Sequence, residues 1–124
     1  MSNKILVVDD DLYIRELYEE ILKHAGYEVE IAIDGAEGLT KLKHGGYDLV
    51  LLDMMMPKLD GIGILNELIQ SPPAIKNGPI LLLTNLGHDP VIKDALNKGA
   101  SSYLIKADLT PDQILENVKK HLPS

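Results

Sequence analysis

The chain has 124 residues, 45% of them hydrophobic and 25% charged, with no Cys and a formal net charge of -7. That length and composition predict one globular domain over residues 1–124 and exclude disorder, disulfides, thiolate metal sites and cysteine catalysis. The whole charge excess falls in residues 1–62, which carry 13 acidic and 6 basic side chains, so a cation is a better expected partner than a nucleic-acid backbone.

Lys4–Asp9 (KILVVD) is an unbroken apolar run rich in β-branched residues, the pattern of a strand buried on both faces. Ile14, Leu17, Tyr18, Ile21 and Leu22 follow at helical spacing, and Gly26 marks the stop. Glu28–Ile33 alternates as a second strand. Gly35–Lys43 reads as a helix with Ala36, Leu39 and Leu42 inward, and Asp48–Asp53 as a third strand. A loop with Pro57 and Gly61 leads to a helix over Ile62–Ile69, stopped by Pro72 and Pro73. Pro79–Thr84 is the fourth strand, Asp89–Lys98 a helix, and Ser102–Ile105 the fifth strand. Thr110, followed by Pro111, predicts the capped start of a last helix that buries Ile114, Leu115, Val118 and Leu122.

Five strands alternating with five helices predict an α/β, doubly wound parallel sheet. Right-handed crossovers favour the flavodoxin-like strand order 2-1-3-4-5. In such sheets function sits beyond the carboxyl ends of the strands. Those ends carry Asp9, Asp10 and Asp11 on the first strand, Asp53 on the third, Thr84 on the fourth and Lys106 on the fifth. Two carboxylates about 4 Å apart repel by roughly 4 kcal/mol at an effective dielectric of 20. That is about three pKa units, enough to keep one protonated at neutral pH unless a cation relieves the repulsion. All candidate ligands are oxygens, which selects a hard ion: Mg²⁺ first, with Mn²⁺ or Ca²⁺ also compatible. A metal, a lysine and a hydroxyl around one more carboxylate suit phosphoryl transfer, with the carboxylate attacking in line. Three acids after the first strand argue against direct phosphate binding there, and neither a P-loop nor a nucleophile elbow is present.

The stretches KILVVDDD, DLVLLDMMMPKLDG, LLLTN and GASSYLIKA together resemble bacterial response-regulator receiver domains, the CheY-like family, from Lys4 to about Leu122. The resemblance implies that Asp53 is the phosphoacceptor, phosphorylated by a histidine kinase or a phosphotransfer protein. It implies a metal site of Asp9, Asp10, Asp53 and the Met55 backbone carbonyl, in which Asp10 ligates Mg²⁺ directly and Asp9 assists through water. Thr84 would bond a phosphoryl oxygen, Lys106 would pair with the phosphoryl group, and Tyr103 would be the switch aromatic. The fourth helix, fifth strand and fifth helix would form the output surface, acting on a partner protein or a covalently linked effector domain. The domain would be a signalling module rather than an enzyme, assisting its own phosphorylation and dephosphorylation. Asp11 reads as a helix cap.

Two residues depart from the family pattern. Ala107 stands where a proline usually follows the lysine, which predicts a trans peptide after Lys106 and a rearranged loop. Asn85 stands where a small residue is usual. Met55 and Leu86 would flank the pocket and hinder an attacking water, implying slow loss of phosphate. Met54, Met55 and Met56 otherwise read as loop packing, and His24, His44, His88 and His121 show no ligand spacing. No apolar run reaches the roughly 20 residues of a membrane span. The N-terminus is not patterned as a signal peptide, so a cytoplasmic protein without membrane contact is expected.

Two other readings compete. Asp9-x-Asp11 also matches phosphatases of the haloacid-dehalogenase type, with Asp9 as nucleophile and Asp11 as acid, which leaves Asp53 without a role. A pseudo-receiver, binding protein but taking no phosphate, would suit Asn85 and Ala107, whereas the acids, Thr84 and Lys106 oppose it.

Overall fold

A computed structural model describes residues 3–85 and 90–122. Five parallel strands, β1 (Lys4–Val8), β2 (Glu28–Ala32), β3 (Leu49–Asp53), β4 (Ile80–Thr84) and β5 (Ser102–Ile105), form one sheet in the order β2-β1-β3-β4-β5. The helices are α1 (Leu12–His24), α2 (Gly35–His44), α3 (Gly61–Gln70), α4 (Pro90–Asn97) and α5 (Pro111–His121). The predicted fold class and strand order are both observed. The expected start of the fourth helix at Asp89 lies outside the described residues.

The strands are apolar on both sides because two cores flank the sheet. Strand alternation sends Leu6, Val8, Val50, Leu52, Ile80 and Leu82 into one core. It sends Ile5, Val7, Leu49, Leu51, Leu81, Leu83 and Leu104 into the other, against Tyr18 and Leu22 of α1 and Ile114 and Val118 of α5. Every residue of β3 and β4 is buried, as central strands of a doubly covered sheet require.

Helix α2 places Leu39 and Leu42 on the core as expected, but Ala36 is exposed, and Gly35 and Gly38 face inward. A Cβ on Gly38 would stand 2.6 Å from Cγ1 of Val8, so the close approach of α2 to β1 needs glycine there. The Asp34 side chain caps the helix at the Glu37 N–H, which fixes this rotation.

Among the described residues, side chains cap four helices where they start at the carboxyl edge of the sheet: Asp11 for α1, Asp34 for α2, Asp60 for α3 and Thr110 for α5. In α5 the cap is reciprocal. Thr110 Oγ1 accepts from the Gln113 N–H, and Gln113 accepts from the Thr110 N–H. The peptide after Lys106 is trans, and residues Lys106–Asp108 form a 3₁₀ turn leading to that cap. Thr110→Ala is expected to destabilise the fold by about 1 kcal/mol in urea unfolding; an unchanged midpoint would show that the turn holds α5 without the cap.

Candidate functional site

The register of the sheet builds the site. Val8 pairs with Leu52, and Leu52 with Leu82. One residue further along, Asp9 and Asp53 stand side by side. By alternation both continue the sheet face covered by α1 and α5, and Lys106 continues it from Leu104. Their side chains therefore converge although they lie far apart in sequence. Lys106 Nζ is 2.8 Å from Asp9 Oδ2 and 3.3 Å from Asp53 Oδ1. Oxygens of Asp9, Asp10 and Asp53 lie within 4.8 Å of one another.

Each acid is held differently. The Asp9 N–H donates to the Ala32 carbonyl at 3.3 Å, extending the ladder one residue past β1. Its side chain is fully buried, and Oδ1 accepts from the Asp11 N–H at 2.9 Å. Asp9 Oδ2 meets the Lys106 ammonium as an ion pair but takes no well-aligned hydrogen bond. Asp11 is the expected cap, accepting from the N–H groups of Tyr13 and Ile14. Asp10 is exposed and makes no side-chain hydrogen bond or ion pair among the described residues. Asp53 is only 3% exposed. The Met55 N–H donates to its Oδ1 at 3.1 Å, the oxygen that Lys106 also approaches, which leaves Oδ2 for an incoming group.

Burial, and then the charge of Asp9, raise the Asp53 pKa to about 6, opposed by the Met55 N–H and Lys106. With a pKa of about 6, Asp53 is mainly ionised at pH 7. Burial alone would lower the Lys106 pKa, but bonding and charge from Asp9 and Asp53 outweigh it and hold the ammonium above its ordinary value. On the facing side of α1, burial raises the Tyr18 phenol; Lys106 lowers it, and Asp9 and Asp53 raise it further.

The other sequence candidates separate by face. Thr84 ends β4 beside Ile105 and is 5% exposed. It continues the opposite sheet face from Leu82, the face to which alternation also assigns Tyr103. Tyr103 is 37% exposed, and the Met55 side chain and Asn85 are exposed. Leu86 and His88 lie outside the described residues. Of the three methionines, Met54 and Met56 pack in the core as expected, while Met55 does not. Sequence reasoning missed Arg15. It is buried, and its Nη1 donates to the Asp9 carbonyl at 2.8 Å. Its spacing with Tyr18 and Leu22, three and seven residues on, was the available signal.

The donor set fits a hard divalent cation. All its side chains are carboxylates, one of them is exposed and unengaged, and the cluster spans less than 5 Å. The phosphatase alternative fits poorly. Both oxygens of Asp9 are engaged and the residue has no exposed surface, as a nucleophile for external esters would need.

An open doubly wound sheet with an acidic cluster, a hydroxyl and a lysine at its carboxyl edge has the groups that phosphoryl transfer through a divalent cation needs. Comparison with known proteins makes this specific. Residues 5–119 match the family model "Response regulator receiver domain", and the chain belongs to that family. It is 36% identical over 118 residues to the chemotaxis protein CheY of Treponema pallidum, covering 93% of this chain and 79% of that protein. It is 38% identical to the transcriptional regulatory protein ZraR of Salmonella typhimurium, covering 95% of this chain but only 26% of that one. The response regulator protein TrrA of Thermotoga maritima, solved in complex with Mg²⁺ and BeF, superposes with a TM-score of 0.79 at 38% identity, covering 97% of this chain and 99% of that one. Receiver domains are signalling domains that bind Mg²⁺ at an Asp cluster and interact with histidine kinases and effector domains. No helix among the described residues is long and apolar enough to cross a membrane.

Because the folded pKa of Asp53 lies above its unfolded value, its ionisation at neutral pH disfavours the folded state. Stability from this group grows as pH falls through about 6 toward the ordinary carboxylate range. Asp53→Asn is therefore expected to stabilise the metal-free protein by on the order of 1–2 kcal/mol near pH 8, with the gain vanishing near pH 4. Thermal melts of both proteins across this range check it; a pH-independent difference would refute the assigned origin.

Proposed function

We propose that Asp53 accepts a phosphoryl group from a phosphohistidine of a histidine kinase or phosphotransfer protein. Asp53 Oδ2 forms the new O–P bond as the P–N bond breaks, and the departing imidazole keeps the electron pair. The observation that carries this reading is that Lys106 reaches both Asp9 and Asp53 while Asp10, the exposed acid of the cluster, has no side-chain partner among the described residues. Asp10 and Asp9, with the Met55 carbonyl, would hold Mg²⁺ or Mn²⁺, which when bound neutralises charge on the carboxylates and the phosphoryl oxygens. Lys106 is free to follow the charge as it moves onto phosphorus, because its contact with Asp53 is the longer of its two.

Thr84 and Tyr103 carry the change outward in this reading. Thr84 stands at the pocket end of β4, and Tyr103 lines a groove of ≈ 580 Å³ between β5 and α5 together with Glu116 and Lys120. A phosphoryl oxygen that draws Thr84 inward vacates space for Tyr103 and reshapes the α4–β5–α5 surface, where an output protein or linked effector would bind. The chain acts as one receiver unit, and water attack on phospho-Asp53, slowed by Met55, would reset it. The relatives include both a chemotaxis protein of similar length and a much longer transcriptional regulator, so either output arrangement is compatible.

Intact mass after incubation with Mg²⁺ and phosphoramidate tests the chemistry. One phosphoryl group is expected on the parent and none on Asp53→Asn or after chelation. Lys106→Met is expected to slow uptake on the order of a hundredfold, the scale of losing one preorganised charge donor. Equal uptake by Asp53→Asn would overturn the assignment.

A further inference from the structure

We propose that Arg15 is a positioning residue for the cation site: it sets the Asp9–Asp10 peptide and, through it, the direction of the Asp10 carboxylate. The inference rests on the reading of Asp9, Asp10 and Asp53 as the Mg²⁺ cluster.

Arg15 lies on the inner face of α1 and is 8% exposed. A buried guanidinium usually has a carboxylate partner. Among the described residues Arg15 has none within ion-pair distance; its side chain makes one hydrogen bond there, from Nη1 to the Asp9 carbonyl at 2.8 Å, and its Nε is buried without a partner. A space-filling role would be met better by an aliphatic side chain, so the informative contact is the one with that carbonyl.

Asp9 is otherwise fixed at each of its polar groups. Its N–H is held by Ala32, Oδ1 by the Asp11 N–H, and Oδ2 by Lys106. Arg15 secures the last one, the carbonyl of the peptide that leads into Asp10. The Arg15 backbone N–H also donates to the Asp11 carbonyl at 3.0 Å, so the same residue braces the turn on both sides of Asp10. The Asp10 side chain has no bond of its own among the described residues, so its aim follows its backbone.

Charge and positioning predict opposite signs. Removing a nearby positive charge alone would tighten cation binding, whereas losing the brace weakens it. Amide NMR titrations with MgCl₂ on the parent, Arg15→Met and Arg15→Lys separate the two. For Arg15→Met, the Mg²⁺ dissociation constant is expected to rise on the order of tenfold, the scale for losing a group that orients a metal ligand. Hydrogen exchange at the Asp10 and Asp11 amides is expected to speed up even without Mg²⁺. Arg15→Lys keeps one donor and the charge and recovers most of the affinity. A folded Arg15→Met with unchanged or tighter Mg²⁺ binding, or with unchanged exchange, overturns the proposal. Should Arg15→Met fail to fold, the Arg15 guanidinium resonances of the parent decide: they move with Mg²⁺ at the same dissociation constant as the Asp10 amide, or the proposal is wrong. A parent whose site amides do not respond to Mg²⁺ overturns the cation site itself and this inference with it, an outcome distinct from a parent that responds and an Arg15→Met that responds equally.

Discussion

Asp9 and Asp53 stand buried side by side, and their burial together with their mutual repulsion is the constraint on which the proposed chemistry rests. Neither can move away, because each is the continuation of a central strand whose register is set by two apolar cores. Neither is fully neutralised, because a single ammonium serves both. Such a pocket favours whatever brings positive charge or spreads negative charge: a hard cation first, then a phosphoryl group whose oxygens the cation and Lys106 share. Burial and the neighbouring Asp9 charge raise the Asp53 pKa to about 6, which leaves its carboxylate mainly ionised at neutral pH.

The fold supplies this arrangement through alternation. Asp9, Asp53 and Lys106 share one sheet face, while Thr84 and Tyr103 share the other. The Asp53 carboxylate and its counter-charge therefore sit against α1 and α5, and Thr84 and Tyr103 sit across the sheet. In the proposed reading, a phosphoryl group on Asp53 would reach Thr84 at the end of β4. Helix α1 contributes from behind, with Arg15 on the Asp9 carbonyl and Tyr18 within the electrostatic reach of the site.

Much of this was legible in the amino-acid order. Continuous apolar strands identified a doubly covered parallel sheet, and that topology alone says where to look, so Asp9, Asp10, Asp53, Thr84 and Lys106 could be collected before any coordinates. The cap roles of Asp11 and Thr110 follow equally from local chemistry. Less legible were features that depend on how elements approach one another. Ala36 looks inward by periodicity, but the close passage of α2 over Val8 turns Gly38 inward instead. Arg15 reads as a solvent residue by composition, and only the burial of the α1 face shows it reaching a carbonyl. Carboxylate spacing suggested a protonated acid, whereas burial and the Asp9 charge raise the Asp53 pKa only to about 6, with the Met55 N–H and Lys106 opposing the rise.

The most direct test of this account is a ¹³C NMR titration of the Asp53 side-chain carboxyl, with and without Mg²⁺. Without the ion the account predicts a midpoint near 6, well above an ordinary aspartate, and a clear fall when Mg²⁺ is added. A metal-free midpoint of about 4, unmoved by Mg²⁺, would contradict it, because the crowding on which the site depends would then be absent.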